Sequence, residues 1–227
     1  MSSPASFAPA ALSKLLATAG SQRFEYPWPG LEDFLLDAGF DELALAGYGS
    51  LLHPDSARRT IPGTPADGHL PIIAFGARRL FNYVIPTFLL ERYGVDPHSN
   101  DCAALNSAWT GNVDDRFNAR LVTIPIADLD GLRMREIAYD LAPVAWQPWN
   151  DHTIEPELAF TLCATSRPFF DTVWVSPDIL PCLPYLDLCR TGARRVSPDF
   201  DKMFIDTTTL ADGCTPLRTL LDEKAER

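Results

Sequence analysis

With 227 residues, 46% of them apolar and 22% charged, the chain has the composition of an ordinary globular protein and enough sequence for one sizeable core. A net charge of −11 argues against a nucleic-acid partner, because counterion release needs clustered Lys and Arg, and the pairs Arg58-Arg59, Arg78-Arg79 and Arg194-Arg195 are scattered. The same charge disfavours anionic membranes, and an anionic ligand would have to be held by local N–H groups or a single arginine against the global field. Five cysteines (Cys102, Cys163, Cys182, Cys189 and Cys214), with no C-x-x-C pair, fit reduced thiols rather than a disulfide framework. No apolar run reaches the length of about 18 residues that a membrane span requires. The Ser- and Ala-rich N-terminus has no acid before Glu25, as in a transit peptide, but its only basic residues there are Lys14 and Arg23. A cytoplasmic location is expected.

Taken in chain order, residues 10–19 place Leu12, Leu15 and Leu16 on one side of a helix stopped by Gly20. A rigid Tyr26-Pro27-Trp28-Pro29-Gly30 connector follows, and then a second short helix over 31–38 closed by Gly39. These forty residues read as an N-terminal helical extension (1–40), packed either on the main domain or on another subunit. The domain proper, 41–227, is dominated by short strands: 43–46, 70–75, 79–84, 103–106 and 119–126. Asp128 reads as the N-cap of a helix of two or three turns reaching Glu136, with strands at 138–146 and 158–164 beyond it. Residues 177–193 read as a helical region broken by Pro181 and Pro184, and the charged run 222–227 reads as a solvated tail. Many short strands with few interposed helices predict an α+β fold, a small mixed β-barrel with flanking helices, rather than alternating βαβ units.

The chemistry concentrates in two places. Ala46-Gly47-Tyr48-Gly49-Ser50-Leu51 ends the first strand in a glycine-bracketed turn, where the backbone can point N–H groups at an anion and a ligand can approach the main chain closely. Arg135-Glu136-Ile137-Ala138-Tyr139 supplies a carboxylate and a phenol where helix gives way to strand. The negative end of a helix and partial burial both raise a carboxylate pKa toward neutrality, which suits a proton carrier. Taken alone, each piece has a plainer reading. Arg135-Glu136 can be two charges on an exposed turn. Tyr48 and Tyr139 can be core aromatics whose hydroxyls reach a surface partner, and Arg78 and Arg79 read equally well as strand-surface charges. A serine nucleophile at Ser50 lacks the G-x-S-x-G frame, since Tyr48 and Leu52 stand where glycines belong, and although His53 lies close in sequence no acid partner is specified. His53, His69, His98 and His152 show no metal-ligand spacing, and the glycine turn lacks the lysine of a phosphate loop.

The ordered combination resembles the gamma-glutamylcyclotransferase-like superfamily. The residues that carry the likeness are Ala46-Gly47-Tyr48-Gly49-Ser50-Leu51, then Ala77-Arg78-Arg79-Leu80-Phe81, then Asn118-Ala119-Arg120-Leu121-Val122 leading into Asp130-Gly131-Leu132-Arg133-Met134-Arg135-Glu136, with Tyr139 heading the next strand. The likeness covers about residues 43–146. It implies a compact mixed barrel, a catalytic Glu136, and a substrate pocket formed by Tyr48, Gly49, Ser50, Leu51 and Tyr139, without metal, nucleotide or other cofactor. The implied reaction converts a γ-glutamyl amide to 5-oxoproline and a free amine, the substrate's own α-amine attacking its γ-carbonyl while Glu136 carries the proton. Tyr139 would be a hydrogen-bond partner to Glu136 or to the substrate. Intramolecular attack brings effective molarities of order 10⁵ M or more, and one oxyanion donor contributes about 3 kcal/mol. The alternative is a non-catalytic protein of the same fold that binds an acidic metabolite or a partner. The leaving amine stays open among the cysteinyl-glycine of glutathione, a free amino acid, a polyamine and a larger product. The insertion-like run 89–97 and the stretch 185–216 follow no pattern of the well-characterised branches, which makes them candidates for covering the pocket or for a homodimer contact.

Overall fold

A computed structural model describes residues 9–225 apart from 21, 60 and 62. In chain order the elements are α1 (Pro9–Ala19), α2 (Leu31–Asp37), β1 (Glu42–Gly47), a 3-10 turn (Gly49–Leu52), α3 (Pro54–Arg58), β2 (Leu70–Phe75), β3 (Ala77–Val84), α4 (Thr87–Leu90) with a 3-10 turn (Glu91–Tyr93), and β4 (Ala103–Trp109). There follow β5 (Arg116–Pro125), a 3-10 turn (Ile126–Asp128), α5 (Leu129–Arg135), β6 (Tyr139–Pro148), β7 (Glu157–Ala164), α6 (Leu183–Val196), α7 (Pro198–Asp206), β8 (Thr208–Thr209) and α8 (Leu217–Ala225).

Five strands close a barrel in the order β1-β5-β2-β6-β7, and β4-β3-β8 form a separate sheet beside it. The barrel is the mixed one that the strand-rich pattern predicts. Its neighbours run antiparallel, from Gly47↔Arg120 between β1 and β5 to Tyr139↔Ala164 between β6 and β7. Closure comes from a parallel contact of β1 with β7 at Leu45↔Phe160. Leu43, Leu45, Ile72, Ala74, Phe117, Ala119 and Val144 are sealed inside, the apolar residues of each strand falling on alternate positions so that one face turns inward.

The N-terminal segment packs on this same chain. Leu12 and Leu16 of α1 sit with Ile73, Phe75 and Ala145 on the outside of β2 and β6. Trp28, Leu31 and Leu35 join the main core, and Trp28 Nε1 donates to Tyr139 O at 2.8 Å.

Three local expectations change. Residues 183–196 form one unbroken helix. Pro184 stands in its first turn, where a missing N–H costs nothing, and Pro181 precedes it in an extended bridge to Ala103. Asp128 stands at the N-terminal end of α5 without a side-chain capping bond, the start being shaped by the 3-10 turn before it. Most of the charged C-terminal run, through Ala225, is the exposed end of α8, while residues 226 and 227 lie outside the described ones.

Candidate functional site

The glycine turn is built by close approach. Gly47 ends β1 where an added Cβ would stand 3.0 Å from the Leu51 side chain and 3.2 Å from that of Val122. Gly49 has φ 66°, and a Cβ there would fall 2.4 Å from the Tyr185 hydroxyl, so both its conformation and its space call for glycine. Behind the turn lies α6: a Cβ on Gly192 would stand 2.5 Å from the backbone carbon of Leu52. Arg120 secures the other side, donating to Leu52 O at 3.2 Å and to His69 O at 2.5 Å. The first i→i−3 bond of the turn runs from Leu51 N–H to Tyr48 O at 3.4 Å. The N–H groups of Gly49 and Ser50 therefore head the turn, in the position where a helix start has donors without helical acceptors.

Glu136 is the residue that ends α5, its N–H bonded to Leu132 O at 2.9 Å. Ala138, at φ 64°, then swings the chain into β6. For a residue with a Cβ that left-handed conformation costs about 1 kcal/mol, and here it sets the corner between acid and strand. Arg135 Nε meets Glu136 Oε1 at 2.7 Å, with only 16% and 13% of the two side chains exposed. The same guanidinium reaches Ser50 Oγ through Nη2 at 2.7 Å and Ser56 O through Nη1 at 3.2 Å. The two segments picked out in the sequence, 85 residues apart at Ser50 and Arg135, thus meet through one arginine. Burial is the main influence on the Glu136 carboxyl and raises its pKa above the usual carboxylate value, while Arg135 partly offsets it by favouring the ionised form.

Aromatic rings surround this corner. The Glu136 carboxylate acts on Tyr48, Tyr83, Tyr139 and Tyr185, all raised above the ordinary phenol pKa, chiefly by burial. Three of their hydroxyls donate to main-chain carbonyls: Tyr48 to Leu162 O at 2.5 Å, Tyr83 to Ile137 O at 2.8 Å and Tyr139 to Leu105 O at 2.7 Å. The Tyr139 proton is thus directed at the second sheet rather than at Glu136. Tyr139 stacks on Tyr83 with centroids 4.4 Å apart, and Tyr83 on Trp174 at 5.9 Å. The run 89–97 contributes Tyr93, whose ring meets Tyr185 edge-on at 6.0 Å.

Of the residues singled out in the sequence, Ser50 and Glu136 are half-buried at this corner, while Tyr48, Gly49, Leu51 and Tyr139 are buried behind it. Ser50 Oγ faces the arginine cation, and His53 is turned toward Asp55, its Nδ1 lying 3.8 Å from Oδ2. Sequence reasoning passes over Tyr83, Trp174 and Tyr185; of these only Tyr185 carries a signal, as the first aromatic in a helix that follows a proline. Two clefts lie elsewhere, one of about 280 Å³ beside Leu210 and Leu220 and one of about 500 Å³ lined by Arg23, Trp109, Cys163 and Arg167. Among the described residues no group of three or more His, Cys, Asp or Glu is placed to hold a metal ion, and no helix is long and apolar enough to cross a membrane.

No family model and no curated protein matches the sequence. Among solved structures, a gamma-glutamyl cyclotransferase is similar with a TM-score of 0.51 at 10% identity, over 72% of this chain and 86% of that one. YkqA from Bacillus subtilis is similar with a TM-score of 0.50 at 15% identity, over 75% of this chain and 55% of its own. This chain thus spans little more than half the length of YkqA, and at such identities the likeness is one of fold. The closed barrel and the separate three-stranded sheet are thus a fold that this chain shares with a gamma-glutamyl cyclotransferase and with YkqA.

Proposed function

We propose that the chain is a gamma-glutamyl cyclotransferase-type enzyme, releasing 5-oxoproline and a free amine from a γ-glutamyl amide with Glu136 as general acid and base. The observation that carries this reading is the shared arginine: Arg135 holds the Glu136 carboxylate at 2.7 Å and the serine of the glycine turn at 2.7 Å. A proton carrier is thereby set beside a cluster of donors.

The ionised Glu136 takes a proton from the substrate's α-ammonium. The freed amine attacks the γ-carbonyl carbon, forming the lactam C–N bond, and charge develops on the carbonyl oxygen, where the N–H groups of Gly49 and Ser50 and the Arg135 guanidinium are the available donors. Glu136 then gives its proton to the departing nitrogen as the amide C–N bond breaks. Over the cycle two protons leave the α-nitrogen and two reach the amine, one of them by way of the ring nitrogen or solvent, so the amine departs as an ammonium and Glu136 returns ionised. A carboxyl whose pKa is lifted toward working pH serves both transfers better than an ordinary one. The substrate supplies its own nucleophile, in keeping with a Ser50 that faces a cation. The cysteines are free, and a cytoplasmic setting completes the reading.

The test is to incubate the purified chain with γ-glutamyl amino acids, γ-glutamyl amines and glutathione and to measure 5-oxoproline and amine by mass spectrometry. Equimolar release of both from at least one substrate is expected. Saturable binding of the substrates with no 5-oxoproline formed would instead identify a non-catalytic binding protein.

A further inference from the structure

The segment between β7 and α6 carries an unusual tip. Phe169 and Thr172 exchange both main-chain hydrogen bonds, at 2.9 and 3.1 Å, around Phe170 and Asp171. The two central residues have φ 50° and 57°, the pattern of a type I′ turn, which is normally built from Asn and Gly. A phenylalanine there is a backbone outlier, and the residue is 84% exposed, more than any other large apolar residue described. Strain and solvent exposure together oppose this residue on grounds of stability alone.

The base of this hairpin is fixed, and it is linked to the chain before and after Glu136, at Arg133 and at Ile137. Trp174 O accepts from Val84 N–H at 2.9 Å and Ser176 N–H donates to Asn82 O at 3.0 Å, so 174–176 run along β3. The Trp174 ring continues the stack through Tyr83 to Tyr139, and the Tyr83 hydroxyl bonds Ile137 O, next to Glu136 in the chain. On the other side Phe169 packs edge-on against Tyr26 at 4.8 Å, and the Tyr26 hydroxyl donates to Arg133 O at 3.1 Å, in the last turn of α5. Met134, 79% exposed, lies between those two attachments in sequence, and Val173 of the hairpin is 47% exposed.

Resting on the cyclotransferase reading, we infer that this apolar rim receives the leaving amine, and that the preferred substrates are γ-glutamyl amides of amines bearing an aromatic or bulky apolar group. Glu136 must protonate the departing nitrogen, so whatever that nitrogen carries lies over the surroundings of Glu136. The side toward Ser50 and Arg135 is polar and suits the charged glutamyl part. The hairpin tied to that corner through Tyr83 and Tyr26 presents Trp174, Val173 and Phe170, which offer apolar contact, and the charge at its tip, Asp171, is not one that pairs with a carboxylate-bearing leaving group.

The experiment compares kcat/KM, read as 5-oxoproline release, for γ-glutamyl-phenethylamine and γ-glutamylglycine with the wild-type chain and with Phe170→Ser. A preference of about tenfold or more for the aromatic amide is expected, the usual scale for apolar recognition of a substrate group, and Phe170→Ser should reduce that ratio severalfold. Far-UV circular dichroism confirms that the variant is folded, and Val173→Ser provides a second variant expected to lower the same ratio. Equal kcat/KM for the two amides, or a ratio unchanged in both variants, would overturn the inference while leaving the cyclotransferase reading intact, and would point to a rim that docks a macromolecule. Absence of 5-oxoproline from every γ-glutamyl substrate would overturn both.

Discussion

Two arginines, Arg79 and Arg135, are withdrawn from solvent at different junctions of the molecule, and their partners separate a cation held by neutral oxygens from one shared with a titratable acid. Arg79 is fully buried, and its hydrogen bonds go to neutral oxygens: Thr208 Oγ1 at 2.8 Å, Asn118 O at 2.8 Å, Asn118 Oδ1 at 3.0 Å, Phe204 O at 2.9 Å and Thr207 Oγ1 at 3.2 Å. It ties β3, β5, α7 and β8 together, with its guanidinium 4.1 Å from the centre of the Phe204 ring. Burial pushes its pKa down to about 9, which still leaves it charged at neutral pH. Arg135 instead spends its donors on a carboxylate and a serine in a corner where both partners keep some exposure. A buried charge whose donors all meet neutral acceptors can only hold elements in place. A charge shared between a titratable acid and a glycine turn can also tune chemistry.

The largest effect should come from Glu136→Gln, which removes the proposed proton carrier and is expected to cost about a thousandfold in 5-oxoproline release, roughly 4 kcal/mol of barrier, while the fold persists. The variant's stability has a definite sign. Because the folded-state pKa of Glu136 is raised from 4.5, the fold favours the protonated form. The associated stability is present below that value and is lost as pH rises through the folded pKa. Thermal unfolding at neutral pH should therefore show the Gln variant melting no lower than the parent, with the difference shrinking in acid. A variant that melts far lower at neutral pH would mark the Glu136–Arg135 pair as a structural tie, the role that Arg79 fills with neutral acceptors.

Arg79→Ala tests the other side of the contrast. It strips a donor from several buried oxygens and leaves a cavity, and should cost about 4 kcal/mol in denaturant unfolding. A loss below about 1 kcal/mol would mean that the junction relaxes and that Arg79 is dispensable. Gly192→Ala strikes the support of the turn from behind, where the added methyl meets the Leu52 backbone. About 2 kcal/mol of destabilisation is expected, together with a rise in KM as Ser50 is displaced. Unchanged stability and KM would show α6 free to move off the turn. The smallest effect is a shift of pH profile. Arg135 favours the ionised form of Glu136, so in Arg135→Gln the carboxyl pKa rises further, and the acid limb of kcat/KM should move to higher pH. A limb that stays in place or moves to lower pH contradicts the coupling.

How much of this could be read from the sequence follows the same contrast between local and distant signals. The glycine turn is legible because Gly47 and Gly49 bracket a strand end, and Glu136 because the apolar pattern of α5 stops there and strand alternation resumes at Tyr139. Both signals lie within a few neighbouring residues. Of the two readings left open for Arg79, the surface charge fails: Arg78 is exposed and paired with Asp115 at 2.7 Å, and strand alternation sends its neighbour inward, but the acceptors that make that burial tolerable come from Asn118 of β5 and from α7 and β8, as far as 129 residues on. Tyr185 escapes for the same reason, since its hydroxyl meets Gly49 only because Gly192 lets α6 close on the turn. The prolines at 181 and 184 look like helix breakers until the helix start is located between them. The stack of Trp174 on Tyr83 and Tyr139 joins three distant segments, which no periodicity could announce.

The most direct test of the central claim is a 13C NMR titration of the Glu136 side-chain carboxyl, assigned by its disappearance in Glu136→Gln, run alongside the pH dependence of 5-oxoproline release. One pKa, above the ordinary carboxylate range, is expected in both. A Glu136 that titrates as an ordinary surface carboxylate, or a rate that does not follow its ionisation, would contradict it.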